Sequence, residues 1–107
     1  MEKENKELFS VILSSRSVRE ISSSWEWYED RAEGLGDRFV ENVKAKIAQV
    51  VTNPTHYSAR YKDYREASID TFPFQLIFHL NSKKKTVRIL SVFHSARNPR
   101  NKYKVKK

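Results

Sequence analysis

Phe72, Phe74, Leu76, Phe78 and Leu80 recur at every second residue, with Gln75 and His79 between them. Alternation of that kind predicts a strand with one face buried and one face polar, as in an antiparallel sheet. A second alternating run, Tyr64 to Asp70, predicts a strand before it, and Thr86 to His94 predicts one after it. The short segment Asn81-Ser82-Lys83-Lys84-Lys85 reads as the turn of a hairpin. Upstream the period changes. Val18, Ile21, Trp25, Tyr28 and Ala32 are spaced 3, 4, 3 and 4 residues apart, which predicts a helix with these residues on its buried face. Ser17 and Glu20 have the spacing of a capping box at its start. Phe39, Val43, Ile47 and Val50 form the stripe of a second helix, which Asp37 is placed to cap and Asn53-Pro54 to stop. Gly34 and Gly36, the chain's two glycines, fall between the stripes, so the helices are predicted to form a hairpin with a very short turn. Leu8 to Leu13 is apolar almost without interruption and reads as a first strand in a buried position of the sheet. Residues 54–63 read as a polar loop.

The predicted order is therefore β-α-α-β-β-β. Three sequential strands make an antiparallel meander, and the N-terminal strand must be added to it, because a lone strand is not stable. The helical hairpin then covers one face of the sheet, which defines an α+β domain. A chain of 107 residues suits one such domain, placed at residues 8–100. Residues 1–7 are expected to be a disordered N-terminus and residues 101–107 a basic C-terminal tail.

Charge adds a direction to this picture. Residues 1–70 carry 11 Lys and Arg against 13 Asp and Glu, whereas residues 71–107 carry 10 Lys and Arg and no acid. The basic block begins inside the hairpin at Lys83, Lys84 and Lys85 and continues through the strand with Arg88, so it is expected to form a face that attracts an acidic protein or a phosphate backbone. The absence of cysteine excludes disulfides and thiolate chemistry. His56, His79 and His94 do not have the spacing of a metal-ligand set, and no cofactor is implied. A charged start without an apolar stretch, and no run of apolar residues of membrane-spanning length, give the expectation of a cytoplasmic protein without a membrane partner.

Several local motifs resemble those of the RelE/ParE superfamily. Trp25-Glu26-Trp27-Tyr28-Glu29 resembles its "WYE" helix segment, and Gly34-Leu35-Gly36-Asp37-Arg38-Phe39 its "GLG-x-x-F" link. Asn53-Pro54 with Tyr57, Arg65 opening a meander strand, Phe72-Pro73-Phe74, and His94-x-x-Arg97-x-Pro99 match further pieces in the same order. The likeness spans about residues 8–100 and is closer to ParE than to RelE. It implies the toxin of a type II toxin–antitoxin module, of the plasmid-stabilisation kind, neutralised by a cognate acidic antitoxin. ParE-like members act on DNA gyrase. RelE-like members are mRNA interferases that cut mRNA in the ribosome. A third possibility is a non-toxic binding module of the same fold. DNA would be contacted only indirectly, through the antitoxin.

The candidate chemistry follows from these alternatives. Metal-independent RNA cleavage needs groups that move protons and cations that stabilise phosphate charge. Arg65, His94 and Arg97 are the candidates for it, set against plainer readings: a strand residue in a salt bridge for Arg65, a strand-end histidine bonded to backbone for His94. If the protein instead acts by binding, Trp27, Lys83, Lys84, Lys85, Arg88, Arg97, Arg100, Lys102 and Tyr103 are the candidate contacts with target or antitoxin. Trp25 and Tyr28 fall on the apolar helix stripe and read as core, and His79 as an outward polar residue of its strand.

Overall fold

A computed structural model describes residues 9–96, 102 and 103. Strand β1 (Ser10–Leu13) leads into helix α1 (Ser15–Arg31) and helix α2 (Leu35–Thr52). A single 3-10 turn (Pro54–His56) follows, then strands β2 (Ala59–Tyr61), β3 (Tyr64–Ser68), β4 (Phe74–Asn81) and β5 (Thr86–His94). The sheet order is β1-β5-β4-β3-β2, with β2 to β5 antiparallel and β1 parallel to β5. The α+β architecture read from the sequence is thus the observed one. It gains one element: the segment expected to be only a loop contains β2, which pairs with β3 through Ala59 opposite Arg65.

The main core lies between the helices and one face of the sheet. Phe39, Val43 and Val50 of α2 meet Phe74, Leu76 and Phe78 of β4 and Val87, Ile89 and Val92 of β5. The alternation beginning at Phe72 holds along β4, with Leu80 partly buried against the same cluster. Tyr28, Phe39, Phe72 and Phe74 pack mostly edge-on or tilted, with ring centroids 4.8 to 6.2 Å apart. Such geometry aligns ring edges with ring faces and adds specificity to plain burial. The opposite sheet face carries a smaller cluster, Tyr64, Ile77, Leu90 and Phe93, with Tyr103 packed on it.

Strand β5 is central for its first four residues only. Thr86 to Ile89 pair with β1, and beyond that point β1 has turned into α1. Side chains and backbone of α1's first turns take over the exposed edge. The Ser14 N–H donates to the Ile89 carbonyl at 2.9 Å, and the Ser14 hydroxyl donates to the Leu90 carbonyl at 2.9 Å. Glu20 Oε1 accepts from the Val92 N–H at 2.9 Å and from the Ser91 hydroxyl at 2.7 Å, while Oε2 holds Arg16 Nε at 2.9 Å. Glu20 therefore has a different role from the expected capping box. The N-cap is Ser14, whose Oγ accepts from the Ser17 N–H at 3.1 Å.

Three further expectations are corrected. The buried face of α1 is formed by Ser17 and Ser24 together with the inner flanks of Ile21 and Tyr28; Val18 is 52% exposed and Trp25 38%. Small residues let the helix sit close to β5, and the larger apolar side chains are displaced toward the α1–α2 seam. Strand β1 is an edge strand with exposed side chains, not a buried one. Nor does Asp37 cap α2. The helix begins at Leu35, and Glu29 of α1 reaches across to accept from the N–H groups of Gly34 and Gly36 at 2.8 and 2.9 Å. Asp37 instead accepts the Trp25 indole N–H at 2.8 Å. Gly34 has φ +84, and a Cβ on Gly36 would lie 2.5 Å from the Trp25 carbonyl oxygen, so each glycine meets a separate need of the turn. The expected disordered N-terminus and most of the expected basic tail lie outside the described residues.

Glu20 has a side chain only 12% exposed and satisfies three donors. Glu20→Ala is expected to lower unfolding free energy by about 3 kcal/mol, because the partners are left without an acceptor in a partly buried site. Glu20→Gln, which keeps one acceptor oxygen, should lose clearly less. Urea unfolding of both variants is the check, and an Ala variant within about 0.5 kcal/mol of the parent would contradict this role.

Candidate functional site

Of the candidate catalytic residues, Arg65 and His94 lie apart. Arg65 lies in β3 opposite Phe78, and its guanidinium donates to the Tyr57 carbonyl, which ties the Pro54–His56 turn to the sheet. His94 ends β5 opposite Phe74. Four residues along β4 and two strand spacings separate the two positions, roughly 13 Å lengthwise and 10 Å across. Arg97 and Arg100 lie outside the described residues. His94 Nδ1 accepts from the Ala96 N–H at 3.0 Å, and its ring meets Phe74 at 4.8 Å.

The basic residues are divided as well. Lys83, Lys84 and Lys85 are exposed at the β4–β5 turn, the end of the sheet opposite His94. Arg88 faces the smaller cluster's side beside His79, its register partner, and its buried Nε has no hydrogen-bond partner among the described residues. Lys102 pairs with Glu66 at 3.1 Å, and the Tyr103 hydroxyl also donates to Glu66. Tyr103 stacks on Tyr61 and Tyr64, at 4.5 and 5.8 Å, so the described C-terminal residues cover part of the helix-free face. Glu66 was not among the candidates, since a lone strand carboxylate carries no sequence signal.

Two concave surfaces remain. One is an apolar groove along the α1–α2 seam, walled by Leu13, Val18, Ile21, Trp25, Val40 and Ile47, with Lys44 among its lining residues. Leu13, Val18, Ile21 and Trp25 in its walls are residues that the first strand and the α1 stripe were expected to bury. Exposed apolar surface of this kind is a candidate contact surface. The other is a cavity of about 640 Å³ between α1 and the far end of the sheet, with Trp27 and His94 in its walls. Trp27 is 53% exposed and lies under the Arg31 guanidinium, 3.7 Å from the ring centroid. Among the described residues there is no cluster of His, Asp and Glu able to hold a metal, and no helix long and apolar enough to cross a membrane.

A mixed five-stranded sheet in the order β1-β5-β4-β3-β2 with a helical hairpin on one face is the architecture of the RelE/ParE superfamily. The family model for the ParE toxin of the type II toxin–antitoxin system parDE matches residues 11–99, and the chain belongs to that family. Solved structures agree in fold. A chromosomal ParDE toxin–antitoxin system from P. aeruginosa aligns with a TM-score of 0.71 at 12% identity, covering 81% of this chain and 96% of that one. Free E. coli RelE aligns at 0.63 and 16% identity, covering 84% and 86%. The E. coli RelBE toxin–antitoxin complex aligns at 0.61 and 18% identity, covering 83% and 99%. No curated relative matches the chain.

Tyr28 links the cavity to the core. Burial pushes its hydroxyl above the ordinary tyrosine range, which is about 10. A raised value means the folded state holds the proton more tightly than the unfolded state. The associated stability is fully present below the unfolded pKa and is lost as pH rises through the folded one. Unfolding followed across this alkaline range should show a steeper decline for the parent than for Tyr28→Phe; equal slopes would contradict the assignment.

Proposed function

We propose that this type II toxin acts by binding DNA gyrase, not by cleaving RNA, and is neutralised by an acidic antitoxin that places an apolar segment in the α1–α2 groove. The observation that carries the reading is the separation of Arg65 from His94, with the Arg65 guanidinium engaged by the Tyr57 carbonyl. General acid–base catalysis needs its groups within hydrogen-bond reach of one reacting centre. Binding needs only a shaped surface with buried anchors, and the exposed apolar wall of Val18, Trp25 and Leu13 supports that requirement. Membership of the ParE toxin family supports gyrase as the target class.

Ribosome-dependent mRNA cleavage is the second reading. It is favoured by the row Tyr64, His79 and Arg88, which are register neighbours across the helix-free face beside Glu66 and Tyr103. This is a different set from the one expected in the sequence.

Purified protein added to gyrase and relaxed plasmid should block supercoiling, and His94→Ala should block it equally well. Undiminished supercoiling at a large molar excess, together with cleavage of mRNA on translating ribosomes, would reverse the order of the two readings.

A further inference from the structure

The cavity at the end of α1 plays no part in the groove or in the gyrase reading. Its volume, about 640 Å³, falls in the range of small-ligand sites, roughly 300–1,000 Å³. The walls are rings: Trp27, Tyr28, Phe74 and His94. They are held in place from behind. Arg31 covers the outer face of Trp27 at 3.7 Å, and Tyr28 meets the same indole edge-on at 5.1 Å. Phe74 is fixed by Phe39 at 4.8 Å and by His94 at 4.8 Å. A wall of this kind needs no rearrangement to accept a flat ligand.

The polar groups are few and are all able to donate. His94 Nδ1 accepts from the Ala96 N–H, so the neutral imidazole carries its proton on Nε2. Ser24, 9% exposed, has no hydrogen-bond partner among the described residues and lines the cavity. The Ser24 hydroxyl is open to the cavity and can pair with a ligand there. The run Ser22-Ser23-Ser24 is poor in helix propensity, and its small side chains at 23 and 24 leave the space open. Arg31 is engaged by the indole, and none of the described lining residues carries a fixed charge.

We propose that this cavity binds a planar aromatic ring bearing a neutral hydrogen-bond acceptor, received by the imidazole Nε2–H and the Ser24 hydroxyl. Such a ring can belong to a free small molecule or to a side chain of a partner protein, and the chemistry of capture is the same.

The two tryptophans make the test direct. Trp27 lines this cavity, whereas the Trp25 indole is bonded to Asp37 and faces the groove. In ¹⁵N-labelled full-length protein, benzamide should shift the Trp27 indole signal and the His94 imidazole signals saturably while Trp25 stays in place. N-acetyltyrosinamide is titrated in parallel. Tighter binding of benzamide assigns the site to a small molecule, and tighter binding of the tyrosine derivative assigns it to a partner's side chain. Ser24→Ala removes the hydroxyl while keeping a small side chain against β5, and should weaken benzamide roughly fivefold. His94→Phe keeps the ring contact with Phe74 and should weaken benzamide roughly fivefold, the effect of one lost hydrogen bond, while toluene binds as before. The proposal is overturned if neither compound moves Trp27, if Trp25 and Trp27 drift together without saturating, or if both variants bind benzamide like the parent.

Discussion

The last strand of the chain must be hydrogen-bonded along both edges, and β1 is too short to complete one of them. Four residues of β5 pair with β1. The rest of that edge is closed by Ser14 and Glu20, which reach 76 and 71–72 residues along the chain to do it. Buried backbone groups left unpaired are costly, so this contact sets the position of α1 on the sheet. Close approach then requires small residues at Ser17 and Ser24. Glu29 carries the same logic to the next element by capping α2 from α1. A helix held by polar contacts with the sheet is relieved of having to bury its whole apolar stripe. Val18 and Trp25 are thereby left at the surface, where they wall the groove.

What the sequence disclosed, and what it hid, follows from the range of the interactions involved. The alternation from Phe72 to Leu80 and the stripe Phe39, Val43, Val50 are local periodicities that match the core they build. The order of elements and the helical hairpin were legible for the same reason, since Gly34 and Gly36 punctuate the chain where the backbone needs them. The roles of Glu20, Glu29 and Asp37 were not legible. Glu20 and Asp37 looked like local caps and Glu29 carried no signal of its own, yet each bonds to another element. Hydrophobicity also misdirected the reading of β1 and of α1's outer face, because an apolar residue left at the surface has the same pattern as one kept for the core. Of the candidate site, Trp27 and His94 are brought to one cavity, whereas Arg65 was separated from them by strand register, which no spacing in the sequence reports.

These constraints bear on function through geometry. The fold offers a rigid sheet with one helix-covered face, an apolar seam, and basic residues distributed over two ends. This arrangement suits recognition of large partners. Acids are confined to the first 70 residues, where bases nearly balance them, and the remainder of the chain carries only basic charge, the distribution that favours encounter with an acidic partner.

The central claim is that this ParE-family toxin stops growth by occupying a protein target. The most direct measurement is to express it alone in growing bacteria and pulse-label DNA and protein synthesis over the first minutes. The account predicts that DNA synthesis falls first, with His94→Ala behaving like the parent. An initial fall in protein synthesis with intact DNA synthesis, abolished by His94→Ala, would contradict it.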